Sequence, residues 1–166
     1  MLSFRRNIEC MSRKETKILK LIELAKSLEG RSYKYGAKMA DAPRFFDCSL
    51  FTQYVFQKVG IKLPRTTIEQ AMVGRKVALK KIKEGDVLFM KGELGRYNKY
   101  YPQGIGHAGV YIGESKIMHA TRKRISGKYE DIYHPERIKE IGSIVIEDLK
   151  KFLKKKKPLA VIKRFL

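Results

Sequence analysis

The chain has 166 residues, 37 of them Lys or Arg and 17 Asp or Glu, for a formal net charge of +20. Such a length suits one domain that buries about two-thirds of its unfolded surface without covalent staples. Two cysteines, Cys10 and Cys48, are too few for a disulfide framework or a cysteine metal cluster, and no apolar run reaches the roughly 18 residues of a membrane span.

Taken from the N-terminus, Met1 to Cys10 carries Arg5 and Arg6 but no apolar core of signal-peptide length. Residues 1–13 are therefore expected to form an N-terminal extension. The expected location is cytoplasmic, or outside the cell by a route other than a standard signal. Ser12-x-x-Glu15 reads as a capping box, Ile18, Leu21, Ile22, Ala25 and Leu28 form an apolar stripe, and Gly30 stops the helix. A second helix starts at Asp47, a predicted N-cap, with Leu50, Phe51, Tyr54, Val55 and Val59 at near-helical spacing and Gly60 as its stop. A third short helix begins at Thr66 with Thr66-x-x-Glu69 as its box and ends at Gly74. Strands are predicted over Asp86 to Met90, Ala108 to Ile112, Lys116 to Thr121, Ser143 to Ile146 and Leu159 to Ile162. Helices first and strands afterwards predict an α+β domain, with the helices packed on a central antiparallel sheet.

Chemistry concentrates around Cys48. In the first turn of a helix a thiol sees the positive end of the dipole and unpaired N–H groups, which predicts a lowered thiol pKa and an oxyanion hole at the same place. A nucleophilic thiol also needs a base and a group that orients the base. Of three histidines, His107 and His119 flank a turn signal at Gly113-Glu114-Ser115, and a turn centred near Gly113 would set them directly opposite on one face of a hairpin. His134, in the polar run Tyr133 to Glu136, is expected on the surface.

These motifs resemble the NlpC/P60 cysteine peptidases of bacterial cell-wall metabolism. The likeness runs from about Gly30 to Thr121. It rests on Tyr33-Lys34-Tyr35-Gly36, Asp47-Cys48-Ser49, Leu63-Pro64-Arg65-Thr66-Thr67 with Gln70, Gly85-Asp86-Val87-Leu88-Phe89, the His107 strand and Met118-His119-Ala120. The resemblance implies a papain-like fold in a single catalytic domain spanning 14–166. It implies Cys48 as nucleophile, His107 as general base, His119 as polar orienter and Tyr33 near the oxyanion site. Asp47 and Ser49 would hold a free amino end of the substrate, with Thr66 and Thr67 beside them. The chain departs from the family at Leu50 and Ala37, where a small residue and a glycine are common, and both bear on pocket shape. The implied activity is cleavage of a peptidoglycan stem peptide or muropeptide, most often after γ-D-glutamate and before diaminopimelate or lysine, with no cofactor.

Other readings stand beside it. One is a thiol amidase cutting between sugar and stem peptide; another is a catalytically silent module that holds an anionic polymer through Arg122 to Arg124 and Lys150 to Lys157. Zinc held by Cys48, His107 and His119 ranks below a metal-free thiol mechanism. No nucleic-acid module accompanies the charge, and a monomer is expected. The long segment Lys91 to Ile105, with Gly92, Gly95, Gly104, Tyr97, Tyr100 and Tyr101, is expected to form a flap at the cleft that favours short free peptides.

Overall fold

The computed structural model describes residues 11–92, 97–126, 139–154 and 158–166. Cys10, His134, Gly95 and Lys155 to Lys157 lie outside them. In chain order the elements are α1 (Arg13–Ser27), β1 (Ser32–Tyr33), β2 (Phe45–Phe46), α2 (Cys48–Gln57), α3 (Thr67–Met72), β3 (Arg75–Val77), β4 (Val87–Lys91), β5 (Ile105–Gly113), β6 (Lys116–Ser126), β7 (Lys139–Asp148), α4 (Leu149–Leu153) and β8 (Leu159–Arg164).

Local capping sets the three N-terminal helices. The Ser12 and Glu15 side chains cap reciprocally, as do those of Thr66 and Glu69, and Asp47 Oδ1 accepts the Leu50 N–H at 2.7 Å. The strands form one eight-stranded sheet ordered β2-β1-β7-β6-β5-β4-β8-β3, antiparallel except between β1 and β2. Alternation along each strand divides the apolar residues between two faces. On one face Val87, Phe89, Ala108, Val110, Met118 and Ala120 meet Leu21, Leu50, Phe51 and Val55 of the helices. The other face carries Leu88, Met90, Ile117 and Ile162, closed by Phe152 of α4. The predicted α+β architecture, helices on a largely antiparallel sheet, is the one observed.

Motif residues tie the layers together. Gln70, fully buried, donates to the carbonyls of Ser49 and Pro64, both at 2.9 Å, and accepts from Thr52 Oγ1 at 2.6 Å, locking α3 to α2. Asp86, also fully buried, receives Arg164 through both carboxylate oxygens at 2.6 and 2.7 Å, joining β4 to β8.

Several elements differ from the sequence expectation. β1, β2 and β3 have only two or three residues each and carry no readable alternation. The basic stretch from Lys150 is interrupted by a short helix, capped by Asp148, that turns Phe152 inward. The hairpin turn falls at Glu114 and Ser115, both left-handed (φ 50° and 56°), rather than at Gly113. Val110 therefore pairs with Met118 and Tyr111 with Ile117. His107 and His119 are consequently diagonal neighbours on one face, not directly opposed.

Candidate active site

A cleft of about 970 Å³ opens between the N-terminus of α2 and the start of β5. Cys48, His107, Tyr33, Asp47, Ser49, Thr66 and Thr67 all border it. The structure thus brings the predicted site residues together, with His119 not on the cleft surface but behind His107 with none of its own surface exposed.

Backbone geometry explains how His107 reaches the cleft. Lys91 pairs with Ile105 and Met90 with His107, so Gly106 is an extra residue in the ladder. A Cβ on Gly106 would stand 2.7 Å from the Gly92 Cα, so the two chains can approach this closely only with glycine at that place. The His107 ring is then held from behind. Its Nε2 lies 2.8 Å from Nδ1 of His119, and the two rings stand edge to face at 87°. His119 Nε2 lies 3.0 Å from Glu147 Oε2 on β7. Phe152 closes the far side, its ring centroid 5.0 Å from that of His119 and 5.9 Å from that of His107. Glu147 and Phe152 carry no local motif, and only the pairing of β6 with β7 brings them to the histidines.

The thiol behaves differently from the expectation drawn from the helix dipole. Burial and the neighbouring Asp47 carboxylate push the Cys48 thiol up to about 12, while the N–H groups of Ala108 and Ser49 and the Arg122 guanidinium act in the opposite direction. The predicted lowering is therefore corrected. Desolvation of the charged form outweighs the dipole and its N–H groups, and so favours the thiol over the thiolate.

Asp47 and Ser49 are engaged with Arg65 of the Leu-Pro-Arg-Thr-Thr motif. Arg65 Nη2 donates to Asp47 Oδ2 at 2.5 Å and to the Ala37 carbonyl, and Nη1 donates to Ser49 Oγ at 2.6 Å. Ala37 and Leu50, the two departures from the family pattern, are fully buried. Thr67 Oγ1 donates to the Ile105 carbonyl at 2.8 Å, pinning α3 to the start of β5, and Thr66 caps α3. The Arg122 guanidinium lies 4.8 Å from the Tyr35 ring centroid and 5.7 Å from that of Tyr33. With Lys38 and Arg65 it makes the cleft wall predominantly cationic, against Asp47 as the acid.

The segment expected to form a flap borders the cleft through Gly92 and Ile105. Beyond residues 93–96, Tyr101 donates its hydroxyl to the Ala71 carbonyl at 3.0 Å, anchoring this part to α3. Among the described residues no group of three or more His, Cys, Asp or Glu side chains is arranged to hold a metal ion, and no helix is long and apolar enough to cross a membrane.

Comparison with known proteins bears on the whole arrangement. Residues 30–144 match the NlpC/P60 family. A probable endopeptidase p60 of Listeria innocua is 34% identical over 113 residues, 68% of this chain and 21% of that protein. The γ-DL-glutamyl hydrolase of Bacillus subtilis is 38% identical over 103 residues, 61% of this chain and 23% of that one. The chain thus spans about a fifth of the length of these relatives. Among solved structures, the P60 domain of a Mycobacterium avium subspecies paratuberculosis antigen superposes with a TM-score of 0.63 at 22% identity, covering 90% of this chain and 95% of that one. The NlpC/p60 domain of the peptidoglycan hydrolase SagA gives 0.61 at 23% identity over 89% and 98%. The fold is the papain-like one of these domains, and the chain belongs to the NlpC/P60 family.

Proposed function

We propose that this chain is a metal-free thiol hydrolase that cuts an amide bond in peptidoglycan stem peptides, with Cys48 as nucleophile, His107 as base and His119 as orienter. The observation that carries this reading is the 2.8 Å contact between His107 and His119, with His107 bordering the same cleft as a cysteine at a helix N-terminus. His107 takes the thiol proton as Sγ attacks the carbonyl carbon. The C–N bond then breaks, the amine leaves with that proton, and water hydrolyses the thioester with His107 again as base.

The backbone N–H of Ser49, which lies against the sulfur, would serve the oxyanion, with the Tyr33 hydroxyl as a second donor. Asp47 and Ser49 hold the substrate's amino end alongside Arg65, while Thr66 and Thr67 shape the cleft floor. The scissile bond is that between γ-D-glutamate and diaminopimelate or lysine. Two observations support this choice: the similarity to a protein named γ-DL-glutamyl hydrolase, and the cationic wall of Lys38, Arg65 and Arg122, which suits a substrate with carboxylates beside its scissile bond.

Incubation with defined stem tripeptides and disaccharide muropeptides, read by mass spectrometry of the new termini, tests the reading. L-Ala-γ-D-Glu together with free diaminopimelate or lysine is the expected product pair. Release of intact stem peptide from the sugar would establish the amidase reading instead, and no cleavage of any fragment would leave a binding module.

A further inference from the structure

We propose that Glu147 is a positioning residue of this site: its carboxylate, acting through His119, fixes the tautomer of His107 and stabilises the imidazolium that forms when His107 takes the Cys48 proton. The inference rests on the reading of Cys48 and His107 as a thiol and its base.

Sheet register supplies the geometry. In the β6–β7 ladder Ile117 opposes Glu147 and His119 opposes Val145, so His119 and Glu147 are diagonal neighbours on one face. Their side chains meet at 3.0 Å, with His119 fully buried and the Glu147 side chain 24% exposed. A carboxylate only accepts, so His119 Nε2 carries a proton. With His119 neutral its Nδ1 is bare, and the single proton between the two rings then resides on His107 Nε2. The nitrogen of His107 left to act as base is Nδ1.

When Nδ1 gains the thiol proton, the positive charge on His107 is relayed through the short His107–His119 contact toward the carboxylate. Phe152 packs against both rings and keeps that path in a low-dielectric setting, where a fixed charge acts strongly. Two side chains aligned behind the base, His119 and then the anionic Glu147, do the work of one buried aspartate behind a histidine.

Other charges surround the pair. Elements packed against β7 bring Lys116, Arg122 and Lys123 from β6, Tyr33 from β1, and Lys150 and Lys151 from α4 with Lys154 as its C-cap, and Asp148 is adjacent on β7 itself. The cleft adds Asp47, Arg65 and Arg122 around His107. None of them changes in a Glu147→Gln variant. A difference between variant and wild type therefore reads the one carboxylate.

Alkylation of Cys48 by iodoacetamide, followed by peptide mapping across pH, tests the proposal without a peptide substrate. In wild type the rate rises with pH to a plateau, because the reactive species is thiolate paired with imidazolium and forms once His107 is free to take the Cys48 proton. Removing the carboxylate weakens the imidazolium. In Glu147→Gln the rising limb should move to lower pH and the plateau fall about tenfold or more, by analogy with outer partners of metal-bound histidines. Glu147→Asp should lie between, and kcat on any cleaved peptide should fall with KM held.

Superimposable profiles for wild type and Glu147→Gln would overturn the proposal and leave the thiol hydrolase standing. Failure of the stem-peptide reading would show instead as absent cleavage with the alkylation shift intact. Should the variants fail to fold, imidazole ¹H–¹⁵N NMR of the wild-type protein decides: an Nε2–H tautomer for His119 is expected, and an Nδ1–H tautomer would refute the relay.

Discussion

Replacing Phe152 with alanine removes a fully buried ring from beneath both histidines. Truncating a core phenylalanine typically costs about 3–5 kcal/mol. Here the ring packs with Val77, Leu88, Met90, Ile117 and Ile162, but it is carried by a helix of five residues that can settle toward the void, so the lower end, about 3 kcal/mol, is expected. For a domain of this size each kcal/mol corresponds to roughly 2–4 °C, giving a Tm loss of about 6–12 °C. Water reaching His119 would also raise the local dielectric behind the base. At a temperature where the variant is folded, kcat should therefore drop while KM holds, because Phe152 does not border the cleft. Phe152→Leu, which keeps an apolar wall, should recover most of both. Thermal unfolding by circular dichroism and steady-state kinetics on one soluble peptide measure the two effects. An unchanged Tm, or a raised KM with kcat intact, would refute this account of the residue.

His107→Ala should approach the inactivity of Cys48→Ala, whereas His119→Asn or His119→Gln should keep partial activity in the same kinetic assay, since an amide still orients a ring. Equal loss in His107→Ala and His119→Gln would mean that the orienter must itself titrate. The raised Cys48 pKa has a signed consequence for stability. A thiol moved from 9.0 in the unfolded chain to about 12 in the fold contributes stability present below pH 9 and lost as pH rises toward 12. Relative to Cys48→Ala, the wild-type unfolding free energy from denaturant titrations should decline across that window; parallel curves would contradict the burial argument. If Arg122 to Arg124 and Lys150 to Lys157 hold an anionic polymer, hydrolysis of whole walls should fall steeply with added salt while hydrolysis of a small peptide hardly responds. The same salt response on both substrates would leave these residues as a solvated surface.

Features written in short-range code were legible in the sequence. Ser12 with Glu15, Thr66 with Glu69, and Asp47 ahead of Leu50 each satisfy helix N–H groups within three residues, and all three caps form as read. Cys48, His107 and the cleft residues around them were legible too, because each sits in a motif. The histidine pair was placed on the correct face but in the wrong register, since the sequence suggested a turn at Gly113 while the left-handed residues are Glu114 and Ser115. Long-range partners were not legible. Glu147 lies 28 residues beyond His119 and reaches it only through the β6–β7 ladder. Phe152 was hidden inside a lysine run that reads as solvated surface. The thiol was misjudged for a related reason: the helix dipole is a local property visible in sequence, whereas desolvation depends on the whole cleft.

Hydrolysis by single cysteine variants decides whether Cys48 is the nucleophile. Cys48→Ala and Cys10→Ala, each confirmed folded, should be compared with wild type on the stem peptide that gives products. Removing the nucleophile of a cooperative catalytic unit should cost on the order of 10⁴-fold or more, while Cys10→Ala keeps most of the wild-type rate. Equal loss in the two variants, or full activity in Cys48→Ala, would contradict the account.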